Sequence, residues 1–133
     1  MGTWPEVRET FPAVAASLVA IRRTVEQWAS EAGAPPRVVA AAVLAINEAA
    51  TNAIVHAYGG GEPGQTVRVV LSTQPGWLRA VVADDGSGLH PRRNSPGYGL
   101  GFAVIGQLTD ELELHERDDH HGLELRLGFR IAP

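Results

Sequence analysis

The chain has 133 residues, of which 44% are hydrophobic and 20% are charged, as is typical of one soluble globular domain. It contains no cysteine, which excludes disulfides and thiolate catalysis, and no lysine, which excludes the P-loop lysine and the strand lysine of eukaryotic-type protein kinases. The net charge of -4 disfavours a protein that coats nucleic acid, and no apolar run reaches membrane-spanning length, so we expect a cytoplasmic protein.

The N-terminal half is predicted to contain one short strand and two helices. Residues 5–11 alternate between polar and apolar side chains, as in a strand. Apolar residues then recur every three or four positions and predict an amphipathic helix over residues 13–31, which Gly33 and a Pro-Pro pair end. A second helix, rich in alanine and valine, is predicted from Pro36 to Ala57, before a run of three glycines.

The C-terminal half is predicted to contain four strands and one helix, which begins near Gly99 after a loop over residues 86–98. The predicted strands cover residues 66–72, 77–83, 111–115 and 123–131. This order predicts an α+β fold, a two-layer α/β sandwich with a mixed, mainly antiparallel sheet and helices on one face. No repeat or linker interrupts the chain, so we expect a single domain over residues 1–133.

A polar stripe interrupts the otherwise apolar second helix. Asn47, Glu48, Thr51, Asn52 and His56 recur at helical spacing, so they lie on one face. These are mostly short hydrogen-bonding groups, which favour a polar cavity over the helix. There Glu48 can act as a base or orient water, and Asn52 can supply an oxygen ligand for Mg²⁺. The alternative is a polar face that only meets water.

An acidic residue followed by two glycines ends the second strand of the predicted hairpin. Asp84 at such a position can accept a hydrogen bond from the exocyclic amine of adenine, while Gly86 and Gly88 let the base approach the backbone. The alternative is an ordinary Asp-Gly turn.

Three glycines mark the start of the last predicted helix. Gly97, Gly99 and Gly101 suit phosphate binding by free backbone amides at a helix N-terminus. A dinucleotide fingerprint is excluded, because no strand precedes these glycines directly. Arg92 and Arg93 precede them and either neutralise phosphate charge or remain solvated loop residues.

Histidines and aspartates also cluster near the C-terminus, at His115 and over residues 118–121. Alternating strands flank this cluster on both sides. We therefore interpret it as a polar hairpin turn, not as a metal site.

The three glycine- and asparagine-containing segments resemble the sequence boxes of a known superfamily. The segment from Glu48 to His56 is similar to the N-box of the GHKL (Bergerat-fold) ATPases. Residues 84–88 resemble their first glycine box, and residues 97–101 resemble their second. The compact length and the wording NEAATNAIVHAYGG most resemble the bacterial anti-sigma factor serine kinases. The resemblance spans the chain from its first strand to its last hairpin.

The resemblance implies ATP and Mg²⁺ as cofactors and a role for each matched residue. The glutamate that matches Glu48 is the proposed general base of the family, the asparagine that matches Asn52 binds Mg²⁺, and the aspartate that matches Asp84 recognises adenine. The two glycine boxes and the preceding loop border the nucleotide, which implies contacts from Gly86, Gly88, Arg93, Gly97, Gly99, Leu100 and Gly101. Such proteins form homodimers, sequester a sigma factor and phosphorylate a serine of a STAS-type anti-sigma antagonist.

Two features differ from the family pattern. The lid between Gly88 and Gly97 is short, and Gly122-Leu123 stands where many members have Gly-Thr, which removes a hydroxyl that could contact phosphate. Two alternatives therefore stay open. One is a nucleotide-dependent regulatory module that holds partners without phosphorylating them. The other is the catalytic-domain fragment of a histidine kinase. This alternative is weakened because the sequence shows no phosphoacceptor helix.

Overall fold

The computed structural model of the protein describes residues 6–57, 64–85, 98–116 and 122–131. These residues form five strands, three helices and a π-helical turn that follows the second helix directly. The strands are β1 (Val7–Pro12), β2 (Thr66–Gln74), β3 (Trp77–Asp84), β4 (Glu111–Glu116) and β5 (Leu123–Arg130). The helices are α1 (Ser17–Glu31), α2 (Pro36–Asn52) and α3 (Tyr98–Leu108), and the π turn is Ala53–Ala57.

The five strands form one sheet in the order β1-β2-β3-β5-β4, and all four pairings are antiparallel. Helix α2 is the central helix, because it contacts α1, α3, β3 and β5. Every second residue of β2 and β3 is buried, as expected for a sheet with one face against the helices. The predicted α+β two-layer fold is confirmed.

Local signals explain how α1 ends and α2 begins. Gly33 has a φ of 84° after α1, and the amides of Gly33 and Ala34 bond back to Ser30 and Ala29, which is the Schellman pattern. Helix α2 follows at once with Pro36 in its first turn, where the missing amide hydrogen costs nothing. The short connection makes α1 and α2 neighbours.

Helix α2 is apolar on most sides because it packs between two helices and the sheet. Ala42, Ala45 and Ile46 are all fully buried. By length and composition alone, Pro36–Val55 is apolar enough to cross a membrane, with a mean hydropathy of 1.7, but half of that stretch is buried inside the protein. The contacts of α2 with α1, α3 and the sheet account for its apolar composition.

The start of α1 differs from the prediction. Residues 13–16 form a turn and not the first helical turn, and the helix begins at Ser17. Strand β1 extends to Pro12, the amide of Ala13 donates to the carbonyl of Gln65, and the Ser17 hydroxyl donates to the carbonyl of Pro12 at 2.7 Å. Val14, which fits the apolar period of the sequence, is 50% exposed. Sheet pairing therefore overrides the helical pattern at this end.

Candidate nucleotide-binding site

The polar stripe of α2 lies partly inside the protein. Asn47, Glu48 and Thr51 are half-buried, and Asn52 is only 7% exposed. Among the described residues, only Ser17 and Asp84 are also buried with polar or charged side chains. Two of these three buried polar residues, Asn52 and Asp84, are therefore residues that the sequence marks as nucleotide ligands.

The amide group of Asn52 is the most informative polar group of the stripe. Its Nδ2 atom is buried and finds no hydrogen-bond partner within the described part of the chain. A buried polar group without a partner destabilises a protein by about 1–3 kcal/mol, so such groups are rare without a reason. A ligand with acceptor oxygens, such as a nucleotide phosphate, would satisfy this donor.

The side chains of the stripe also suit a magnesium nucleotide. An amide oxygen is a hard ligand of the kind that Mg²⁺ prefers, and this cation is usually held by one or two protein groups together with phosphate oxygens and water. Asn52 offers an amide oxygen beside a donor that lacks a partner among the described residues, and Glu48 precedes it by one helical turn on the same face. Groups of three or more metal-binding side chains are absent from the described residues.

Asp84 lies at the C-terminal end of β3, where it pairs in register with Val67 of β2. Its side chain is 5% exposed, whereas the neighbouring Asp85 is exposed. Helix α2 contacts β3, and so does the π turn that begins directly after Asn52. The segment that carries Asn52 therefore packs against the strand that ends at Asp84.

The π turn itself was not predicted from the sequence, which indicates one continuous helix to Ala57. Residues 53–57 form a wider turn immediately after Asn52. Such turns often occur at functional sites, because they change the direction of the side chains that follow. One turn earlier, the Thr51 hydroxyl donates to the carbonyl oxygen of Asn47 at 2.8 Å, a bond that can bend a helix. No pattern in the sequence distinguishes this turn from regular helix.

Arg22 is a second feature that sequence reasoning missed. Its Nη1 atom donates to Oδ1 of Asn47 at 3.0 Å, across the contact between α1 and α2. This bond joins α1 to the residue that directly precedes Glu48. Only the pairing of the two helices places Arg22 there, and the sequence does not contain that pairing.

Three of the remaining predicted ligands lie at the start of α3. Gly99, Leu100 and Gly101 are in the first turn of this helix, which begins at Tyr98, close to the predicted start, and contacts α2. The start of a helix is suitable for phosphate groups. The predictions for Gly86, Gly88, Arg93 and Gly97 lie outside the described residues, as does the lid.

Comparison with protein families decides the assignment of the fold. A family model described as a histidine kinase-like ATPase domain matches residues 11–129, nearly the whole chain. The chain belongs to the family of histidine kinase-like ATPase domains. The resemblance to GHKL ATPases is therefore confirmed, and membership implies ATP binding and supports a kinase-type activity in general. No curated protein matches the chain significantly.

Two solved structures are similar to this domain. The RsbU and RsbW domains of Rv1364c from Mycobacterium tuberculosis match with a TM-score of 0.74 and 24% identity, over 97% of this chain and 33% of that one. The histidine kinase domain of the blue-light activated histidine kinase EL346 from Erythrobacter litoralis matches with a TM-score of 0.61 and 24% identity, over 90% of this chain and 61% of that one. The chain spans about a third of the first protein and less than two thirds of the second, and at this identity both support the fold alone.

Proposed function

We propose that this domain is an anti-sigma factor that binds Mg²⁺-ATP, phosphorylates a serine of a STAS-type antagonist and sequesters a sigma factor. The observation that carries the proposal is the buried Nδ2 of Asn52, which has no hydrogen-bond partner among the described residues. Asn52 lies one helical turn after Glu48, on the helix that packs against the strand that ends at Asp84. The wording of the N-box supports the anti-sigma branch, and the RsbU and RsbW domains of Rv1364c share the fold.

Each side chain has one task in the proposed reaction. Asp84 would accept a hydrogen bond from the exocyclic amine of adenine, and the backbone amides at the start of α3 would bind the phosphates. Asn52 would hold Mg²⁺, which would supply positive charge to neutralise the phosphates. The carboxylate of Glu48 would accept the proton of the serine hydroxyl. The serine oxygen would bond to the γ-phosphorus as the bond between that phosphorus and ADP breaks. Positioning and charge neutralisation supply most of the rate enhancement in such transfers.

The test of this proposal separates nucleotide binding from phosphoryl transfer. The chain is incubated with Mg²⁺-ATP and a candidate STAS protein, and phosphoserine is measured by mass spectrometry. Glu48→Gln is expected to keep ATP binding and to lower phosphoserine formation by about 100-fold or more, since general-base groups contribute about that much. Wild-type transfer rates in Glu48→Gln would contradict the role of Glu48, and transfer that survives Asn52→Ala would contradict the site itself.

A second candidate function is a regulatory module that binds ATP and its partners without phosphorylating them. Leu123 favours it, because this side chain is only 9% exposed at the start of β5, so an apolar group occupies the position where many family members have a threonine hydroxyl. In that case calorimetry would detect nucleotide-dependent partner binding while no phosphoserine forms. Rapid phosphorylation of the partner would contradict this second candidate.

The same proposal includes the setting in which the domain works. A cytoplasmic location and a single domain over residues 1–133 fit an anti-sigma factor. A role as the catalytic-domain fragment of a histidine kinase is the third candidate, because a histidine kinase domain is among the similar folds. Phosphorylation of a histidine on a separate phosphoacceptor protein, without phosphoserine, would support it over the first.

A further inference from the structure

The polar stripe of α2 contains two neighbouring rows of side chains. Residues four apart lie on the same face of a helix, so Glu48 and Asn52 form one row, and Asn47 and Thr51 form the other. The exposed side chain of Arg22 on α1 reaches the second row, where it donates to Oδ1 of Asn47 at 3.0 Å. Both rows belong to one helical segment, so a contact that holds the second row also holds the first.

The bond from Arg22 has no counterpart elsewhere on α2. Within the described ranges, it is the one hydrogen bond that joins a side chain of this helix to another element. The Thr51 hydroxyl bonds inside the helix, to the carbonyl oxygen of Asn47. Nδ2 of Asn52 is buried without a partner among the same residues. Arg22 is therefore the polar group through which α1 holds the site end of α2.

Apolar packing restrains the rotation of this segment only weakly. Six residues are buried between positions 45 and 53, and four of them are alanines, namely Ala45, Ala49, Ala50 and Ala53. Helices interlock by side-chain ridges that enter the grooves of their neighbours, and alanine forms shallow ridges. Shallow ridges resist rotation of α2 about its own axis less than large side chains do. A directional hydrogen bond supplies a restraint that this packing lacks.

The backbone of the segment is also less regular than the rest of α2. The bond from the Thr51 hydroxyl to the carbonyl oxygen of Asn47, at 2.8 Å, is of a kind that bends helices. The π turn Ala53–Ala57 then begins directly after Asn52. Because the regular helix ends at this point, its own backbone bonds do not fix the orientation of the segment alone. Contacts from neighbouring elements must contribute.

Small rotations of α2 matter for the proposed reaction. Side chains reach about 5–6 Å from a helix axis, so a rotation of about 10° moves their ends by about 1 Å. A displacement of about 1 Å can slow a positioned reaction by about 100-fold. Magnesium binding tolerates such a displacement better, because the cation keeps several water ligands that adjust. Rotation should therefore slow transfer at Glu48 more than it weakens nucleotide binding.

We propose that Arg22 is a positioning residue for phosphoryl transfer. By holding Asn47, it fixes the rotation of the α2 segment that carries Glu48 and Asn52. Arg22 contacts neither the nucleotide nor the acceptor serine, and it acts through Asn47 alone. The inference rests on the proposed kinase activity and adds to it a residue from another helix.

The test compares kcat with nucleotide affinity in Arg22→Ala, with the STAS protein that the intact chain phosphorylates as acceptor. We expect kcat to fall by about tenfold or more, while the Kd for Mg²⁺-ATP changes by less than about threefold. Arg22→Lys can still donate to Oδ1 of Asn47 and is expected to recover kcat to within about threefold of wild type.

A double-mutant cycle shows whether Arg22 acts through Asn47. Asn47→Ala removes the acceptor Oδ1 but keeps the carbonyl oxygen that accepts from Thr51, and its kcat is expected to match that of Arg22→Ala. In the double variant, kcat is expected to fall no further than in either single variant, because all three lack the same bond. Arg23→Ala, at the exposed neighbouring position, is the matched control and is expected to keep wild-type kcat.

All variants are assayed at a temperature where circular dichroism shows the wild-type fold. Wild-type kcat in Arg22→Ala would overturn the inference, and so would a double variant whose loss is the product of the two single losses. A higher KM for the STAS protein at unchanged kcat would also overturn it, because Arg22 would then bind the acceptor. If the wild-type chain forms no phosphoserine, the proposed function fails, and this inference fails with it.

Discussion

The polar stripe of α2 and the face of the sheet turned away from the helices, which we call the outer face, both carry polar side chains, but their hydrogen bonding differs. On the outer face, charged groups pair with neighbours near water: Arg79 with Glu111, and Arg126 with Glu124 at 2.6 Å. On the stripe, Nδ2 of Asn52 is buried without a partner among the described residues. Exposed ion pairs contribute little to stability, whereas an unpaired buried donor destabilises the fold. We infer that the stripe is kept for a ligand.

Asp84, at the end of β3 beside the stripe-bearing helix, is expected to have a large effect on nucleotide binding. Asp84→Asn removes the negative charge and puts an NH₂ donor in place of one of the two acceptor oxygens, where adenine would present its amine. A hydrogen bond to a charged group contributes about 1.5–3 kcal/mol, so ATP affinity is expected to fall by about 10- to 100-fold. Calorimetric titration with Mg²⁺-ATP measures this change. Asp85→Asn, at the exposed neighbouring position, is the matched control, and equal losses in both variants would contradict a specific role for Asp84.

Asn52→Leu tests whether the unpaired amide destabilises the protein. Leucine has a similar shape and no donor, so the free energy of unfolding is expected to rise by about 1 kcal/mol, as measured in urea without nucleotide. Thr73→Val is the matched control, because Oγ1 of Thr73 is also buried without a partner in the described part of the chain. It is expected to stabilise the protein similarly and to leave ATP binding unchanged. A large loss of stability in Asn52→Leu would show that the amide is already paired.

Arg22 is expected to have a smaller effect. Arg22→Ala removes the bond to Asn47 between α1 and α2, and the free energy of unfolding is expected to fall by about 0.5–1 kcal/mol. Arg23→Ala, at an exposed position with no pairing among the described residues, is the control and is expected to change stability less. If both variants unfold at the same urea concentration as wild type, the bond between Arg22 and Asn47 does not contribute to the stability of the protein.

The smallest effect is expected on the outer face, at Glu113. The hydrogen bond from His115, at 2.8 Å, holds the pKa of Glu113 below its ordinary value of 4.5. Because the pKa is lower in the folded state, the pair stabilises the fold above about pH 4.5 and loses this contribution as pH falls through the folded-state pKa. Carboxyl NMR titration should show the lowered pKa, and His115→Ala should raise it. An identical titration curve in the variant would contradict the pairing.

Most of the fold was predictable from the sequence, because periodicity records which face of each element is buried. The β2–β3 hairpin is an example: alternating residues and the Pro75-Gly76 turn, with a φ of 81° at Gly76, define both strands. The start of α1 was not predictable, since sheet pairing at Pro12 and Ala13 competes with a helical pattern. Nor was the π turn, which depends on how the end of α2 packs on β3.

The candidate site was predictable as residue types but not as an arrangement. The sequence indicates that Asn52 and Asp84 matter, and the fold places both in the interior, at elements that pack on each other. The sequence does not indicate that Nδ2 of Asn52 lacks a partner among the described residues, or that Arg22 bonds to Asn47. Both facts depend on contacts between distant segments of the chain.

The central claim is that α2 and β3 form a site for Mg²⁺-ATP around Asn52. Its most direct test is a calorimetric titration of Mg²⁺-ATP into wild type, Asn52→Leu and Thr73→Val under the same conditions. The account predicts that wild type and Thr73→Val bind one nucleotide per chain with equal affinity, while Asn52→Leu, although folded and no less stable, binds about 100-fold more weakly. Equal affinity in all three proteins would contradict it.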